Sequence, residues 1–423
     1  MSKIAKIWAR EILDSRGTPT VEAACQLDSG HVAVASVPSG ASTGSYEALE
    51  LRDGEEARYQ GKGVLNAVNN VNQILGPALV GMDPSDQVAI DQKLLSLDSS
   101  ENKKKLGANS ILAVSVVTAK AGALTAGVQL YAWIQALAQK RGLIVSTWRI
   151  PTPLFNMLNG GLHGAGNLDF QEFFVTPTTA KGYSEGLRAG VEIYHVIGQN
   201  LARRGAIHSV GDEGGYAPNL FTNADALEIL VDSIKQTPYS IGRDVFLGLD
   251  VAASTFFRDG EYTIRDKSGP MSEDAFIEFY KDLNNTYHMA VLEDPLDQDA
   301  WTGWQKLVGV LGSQTIVVGD DLLATNPKRV DKAIADSACN GILVKPNQIG
   351  TVTETIDVVK KAKDAGWKIV VSHRSGETND WFIADFAVGV GADYVKFGAP
   401  CRGERVAKYN RLSSIEIELT QRK

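Results

Sequence analysis

The sequence predicts an α/β protein: a C-terminal eight-stranded α/β (TIM-like) barrel with a smaller N-terminal α+β domain. Three observations carry this. Six short apolar runs in the second half of the chain, at 246–250, 290–293, 315–320, 341–345, 368–373 and 394–396, end on Asp250, Glu293, Asp320, Lys345, His373 and Lys396. After a longer first step, these end residues recur about every 25 positions, the length of one strand-plus-helix unit. Before them, the chain reads as strands first and helices afterwards, the order of an α+β domain. Strands buried on both faces read as continuous apolar runs, and a parallel barrel brings their C-terminal ends to one rim.

The elements follow in order. Strand-like segments are expected at 4–13, 20–27 and 31–38, then a small-residue loop at 39–44, Ser-Gly-Ala-Ser-Thr-Gly, whose two glycines around hydroxyl residues suggest a mobile lid. Helical periodicity follows at 63–75 and 109–126, so the first domain is expected to span residues 1–138. Residues 141–151 look like the join to a barrel domain over 139–423. In the barrel, amphipathic helices are expected at 225–235, 273–283, 330–337 and 352–365; Asn326-Pro327 marks the start of the third and Gly366 the end of the fourth. The stretch 173–201 is less regular, a strand-like run followed by a long helical one, and the first barrel units have the poorest periodicity.

Composition narrows the function. The chain has 423 residues, 44% hydrophobic and 22% charged, with a formal net charge of −8. That balance argues against nucleic acid or an anionic membrane as partner, though a bound metal can reverse the local sign for a small anionic substrate. No run approaches the roughly 20 apolar residues of a membrane span. The N-terminus lacks a signal-type core, so a cytoplasmic location is expected. Cys25, Cys339 and Cys401 have no metal-type spacing and read as reduced structural thiols.

Three acids and three bases on one rim describe a divalent metal beside a proton-transfer site. Asp250, Glu293 and Asp320 supply the hard oxygens that suit Mg²⁺; a single such acid would more often cap the next helix, and Asp294 and Asp321 are read as supporting partners or caps. Lys345 follows four apolar residues, so its stem should be walled by the barrel; beside a metal and other cations its ammonium would be disfavoured and the amine able to act as a base, with a snorkelling structural lysine as the alternative. His373-Arg374-Ser375 offers a clamp for phosphate or carboxylate, with Lys396 as a further fixed charge. Glu213 lies in a glycine-rich turn, 211–215, that would let backbone approach a ligand; this turn, His163 and the Gln171-Glu172 pair also admit a plain surface reading. Glu192 and His195 read as a helix-surface pair. No phosphate-loop ending, zinc-protease pattern or nucleophile elbow occurs.

These residues resemble the enolase family over nearly the whole chain: Asp14-Ser-Arg-Gly17, the 38–44 loop, Gln171-Glu-Phe173, Gly211 to Asn219, Gly319-Asp-Asp321, Asn347-Gln-Ile-Gly350 and Ser372 to Thr378. The resemblance implies a prokaryotic enzyme that reversibly dehydrates 2-phosphoglycerate to phosphoenolpyruvate in glycolysis and gluconeogenesis. Lys345 would abstract the C2 proton, and Glu213, supported by Glu172, would protonate the departing hydroxyl. Asp250, Glu293 and Asp320 would hold one Mg²⁺, and a second, arriving with substrate, would involve Ser42. Arg374 and Ser375 would hold the phosphate, Lys396 would face the carboxylate, and Gln171, His163 and His373 would complete the pocket. It also implies a homodimer or an assembly of dimers, and a secondary cell-surface or secreted pool that binds host proteins. Thr18, Leu162, Gly164, Trp381 and Phe397 depart from the family pattern without removing a catalytic group.

Overall fold

The computed structural model describes residues 2–40, 46–164 and 168–421. An antiparallel meander opens the chain: β1 (Ile4–Leu13), β2 (Pro19–Leu27) and β3 (Val32–Ser36). Alternating burial along β2, with Val21, Ala23 and Cys25 inward, leaves one face for helices to cover. The helix Ala108–Ala126 packs there. It is long and apolar enough to cross a bilayer, yet 83% of its most apolar window is buried in protein, so it is the core helix of this domain. The expected helix at 63–75 is broken into Leu65–Asn70, a wider turn at Val71–Leu75, and Gly76–Leu79.

Residues 141–151 carry no regular element. The barrel strands are then β4 (Thr152–Pro153), β5 (Phe155–Asn159), β6 (Glu172–Pro177) and β7 (Val245–Asp250); a hairpin of β8 (Phe257–Arg258) and β9 (Glu261–Tyr262) stands apart. They continue with β10 (Met289–Glu293), β11 (Ile316–Gly319), β12 (Gly341–Val344), β13 (Lys368–Ser372) and β14 (Tyr394–Lys396). The sheet order is β4-β14-β13-β12-β11-β10-β7-β6-β5. Since β4 and β5 are one run interrupted at Leu154, whose N–H bonds Val395 O, this order closes an eight-position ring. The ring departs from an all-parallel barrel: β6 runs antiparallel to both β5 and β7. Its first residue, Glu172, therefore reaches the rim where the other strands end.

Leu154, Phe174, Val291, Val318, Leu343 and Val370 fill the barrel interior as one buried cluster, so the ring is a packed floor. Outside it, helices start where capping chemistry allows: Thr222 and Asp225 form a reciprocal capping box at Asn223–Lys235, and Asn326 and Thr351 accept N–H groups at Pro327–Asp336 and Val352–Asp364. Gly366, at φ +78°, follows the last of these in the left-handed region. Cys25 and Cys339 are buried free thiols and Cys401 is a half-buried one.

Asp91 ties the two domains together. Its carboxylate accepts Ser115 Oγ (2.7 Å) and Gln87 Nε2 (2.9 Å) within the first domain, and the N–H of Thr353 (3.0 Å) at the start of a barrel helix. Burial pushes its carboxyl up to about 6 despite these donors. A carboxyl whose folded value lies above its unfolded one contributes stability that is complete below the unfolded value and lost as pH rises through the folded one. Asp91→Asn removes this titration. The stability of the variant relative to wild type, by urea denaturation, should therefore rise by about 3 kcal/mol between about pH 4 and pH 7; a pH-independent difference would show that Asp91 stays ionised in the fold.

Candidate active site

Strand register assembles the rim. Glu172 of β6 is paired with Asp250 of β7, Asp250 with Glu293 of β10, and Ser372 of β13 with Lys396 of β14. Asp320 and Lys345 come directly after β11 and β12. On the eight-position ring β6 and β12 are four places apart, so Glu172 and Lys345 stand on opposite walls. The resulting cavity is lined among the described residues by six acidic side chains, Glu47, Glu172, Glu213, Asp294, Asp320 and Asp321, against three basic ones, Lys345, Arg374 and Lys396. Asp250 and Glu293 lie buried at its base.

Lys396 holds this base together. Its Nζ lies 2.8 Å from both Asp250 and Glu293 and 3.2 Å from Glu172. Burial opposes the ammonium, but these three carboxylates outweigh it and hold Lys396 well above the ordinary lysine value. Even so, negative charge remains in excess. Burial and the adjacent Asp250 carry Glu293 well above the usual carboxylate range, and its Oε2 is buried with no hydrogen-bond partner among the described residues. Burial and Asp320 likewise push Asp321 up to about 7. Asp294, at φ 42°, accepts the N–H groups of Asp320 (2.9 Å) and Asp321 (2.7 Å) and so sets their backbone. Oxygens of Asp294, Asp320 and Asp321 all lie within 4.8 Å of one another. A buried acidic surplus with an unpaired oxygen fits a hard divalent cation.

On the other side of the cavity, Asp320 lies 2.5 Å from Lys345 Nζ and accepts Gln348 Nε2 at 3.1 Å. Burial acts downward on the Lys345 ammonium, but the adjoining Asp320 outweighs it and holds Lys345 above its ordinary value. The same pairing, with Lys396, holds Asp320 below its own in spite of burial.

The opposite wall groups four titratable side chains. His163 Nδ1 lies 3.2 Å from Glu172 and 3.5 Å from Glu213, and His373 Nε2 lies 3.2 Å from the other Glu213 oxygen, which also accepts Asn156 Nδ2 at 3.3 Å. Burial and Glu213 push Glu172 up to about 7. Burial of Glu213 is outweighed by His163 and His373, which hold it well below the carboxylate range. The two carboxyls are thus pushed in opposite directions, the pattern of paired acid–base groups. Gln171 donates to Asp250 at 3.1 Å.

The clamp residues have partners that the sequence did not suggest. Arg374 donates to Glu47 through Nη1 (2.7 Å) and Nη2 (3.3 Å). Ser375 Oγ accepts Arg16 Nη1 at 3.3 Å, leaving its own hydrogen to donate elsewhere. Arg16 also donates to Gly40 O at 3.0 Å, and Ser39 and Gly376 exchange backbone hydrogen bonds of 2.8 and 3.0 Å. A Cβ at Gly376 would stand 2.2 Å from the Asp14 carboxylate, so this junction requires glycine. Ser42 and the rest of 41–45 lie outside the described residues. Leu162, at the cavity wall, is 64% exposed, whereas Phe397 is buried against Tyr409. Glu192, on an exposed helix face, accepts Tyr239 Oη and lies apart from the cavity.

Two family models match this chain. Residues 4–134 match the enolase N-terminal domain, and residues 147–423 match the enolase C-terminal TIM barrel domain. The chain belongs to the enolase family. An enolase-family barrel with this acidic base is a lyase that uses a divalent metal, and the side chains present suit one. Removing Lys396 from among its three carboxylates should therefore be costly. In EDTA, Lys396→Met is expected to lower unfolding stability by about 3–5 kcal/mol, and Mg²⁺ should restore more in the variant than in wild type. Unchanged stability in EDTA would show that the carboxylates are neutral or held by other groups.

Proposed function

We propose that this chain is a Mg²⁺-dependent hydro-lyase that converts 2-phosphoglycerate reversibly to phosphoenolpyruvate, the enolase step of glycolysis and gluconeogenesis. The observation that carries the reading is the opposition of Lys345 to the Glu172–Glu213–His163 network across one buried acidic base. Removing a proton beside a carboxylate and expelling a hydroxyl on the neighbouring carbon needs a base and an acid on different sides of the substrate.

Lys345, as the amine, takes the C2 proton. Its ammonium is favoured here by Asp320; once that carboxylate is committed to a cation, burial and the nearby Arg374 and Lys396 oppose the ammonium. Asp250, Glu293 and Asp320 would hold the first Mg²⁺, and Ser42 would take part in holding a second that arrives with substrate. Bound there, Mg²⁺ supplies positive charge where the substrate carboxylate gains electrons. Lys396, fixed between Asp250 and Glu293, faces the same carboxylate. Arg374 and Ser375 bind the phosphate, with Arg16 leaving the serine hydroxyl free to donate. Glu213 assists departure of the C3 hydroxyl with a proton shared by Glu172 and His163, the groups whose values lie highest in that network. The same reading carries a cytoplasmic homodimer or an assembly of dimers.

The ultraviolet rise of phosphoenolpyruvate from 2-phosphoglycerate tests the reaction. Turnover should vanish in excess EDTA and return with Mg²⁺; folded protein inactive in Mg²⁺ would overturn the assignment. Lys345→Ala should abolish exchange of the C2 hydrogen with solvent while substrate still binds. Glu213→Gln should retain that exchange and block dehydration, and loss of both would remove Glu213 from the acid role.

A further inference from the structure

Arg405 is among the largest fully buried side chains of the protein, and it comes from the helix Gly403–Gln421 rather than from a rim loop. Its two terminal nitrogens carry four hydrogens, and four acceptors surround them. Nη1 reaches His373 Nδ1 at 2.7 Å and Arg374 O at 2.6 Å; Nη2 reaches Asp212 O at 3.0 Å and Ser375 O at 2.5 Å. A guanidinium stays protonated and only donates. The 2.7 Å contact therefore demands a lone pair on His373 Nδ1, since an N–H there would point into another N–H. The ring's hydrogen is left on Nε2, 3.2 Å from Glu213.

Packing keeps the ring in that pose. Gly398 adopts φ +85°, and a Cβ there would come 3.0 Å from His373 Cε1 and 3.1 Å from Arg405 Cδ. The His373 N–H bonds Lys396 O at 2.9 Å, which fixes the backbone on the same side.

We infer that Arg405 is a positioning residue that locks His373 as a neutral ring with its hydrogen on Nε2, beside Glu213, so that His373 is held in one tautomer and is not a proton carrier. The inference rests on the proposed acid role of Glu213 for its catalytic meaning, but its geometry stands without that role. It explains why one buried arginine touches both the Asp212–Glu213 turn and the Arg374–Ser375 clamp: the acid and the anion-binding backbone are set by the same side chain.

The test is imidazole ¹⁵N NMR of the full chain labelled at histidine, with the His373 signals assigned by their loss in His373→Gln. The expected spectrum at neutral pH has a pyridine-type Nδ1 and a pyrrole-type Nε2; a neutral Nδ1–H ring or a doubly protonated ring overturns the lock. In Arg405→Met the tautomers should mix and kcat should fall at least about 10-fold, with KM less affected. Arg405→Lys, which keeps one donor, should recover part of both signals. A folded Arg405→Met protein with the wild-type tautomer would overturn the role of Arg405. Should the variants fail to fold, the wild-type spectrum alone decides. The expected tautomer in a protein that forms no phosphoenolpyruvate would support the lock while removing the proposed reaction.

Discussion

The structure turns on a charge imbalance buried at the base of a barrel. Asp250, Glu293 and Glu172 surround one ammonium, that of Lys396, while Asp320 is matched by Lys345. Carboxylates so enclosed cannot all stay ionised without cations, which is why Glu172, Glu293 and Asp321 rise together. Such clusters are poor devices for stability, because desolvation offsets much of the attraction. Their value lies in chemistry: the same surplus that raises the acids attracts a divalent ion and leaves proton-bearing groups ready on the opposite wall.

The N-terminal domain belongs to the site rather than merely adjoining it. Arg16 touches Ser375, Glu47 touches Arg374, and Ser39 is bridged to Gly376. These contacts tie the first strands and Ser39 to the Arg374–Gly376 segment. Asp91 and the Lys103–Glu354 pair fasten the same domain to the helix Val352–Asp364 at a distance from the chemistry. The C-terminal helix contributes from the other side through Arg405 and Lys408, which lies 2.8 Å from Glu377. A rim built of short loops is thus held from several directions, as preorganised donors and charges require.

Much of this was legible in the chain. Apolar runs ending at Asp250, Glu293 and Lys396 are strands over nearly the predicted residues, because a strand buried on both faces leaves little freedom in composition. The helix start at Asn326 obeys the local capping chemistry read there. The antiparallel β6 was not legible. Direction within a sheet depends on the connection and leaves no periodic trace, so Glu172 reached the rim from the start of a strand rather than its end. Nor did anything local single out Arg405, one arginine on an amphipathic helix, or Glu47, an acid among several.

The sequence by itself determined which groups could do chemistry, that they recur at strand ends, and which family pattern they match, since residue type and spacing are local properties. Only the tertiary structure decided who neutralises whom. Lys345 is an example: the chain showed its apolar approach, but its partner at 2.5 Å, Asp320, came from another strand end. Charge interactions fall off with distance and dielectric, not with separation along the chain. The upward shift of Glu172, the arginine that faces His373 and the partners of Arg374 were therefore set by the closing of the ring.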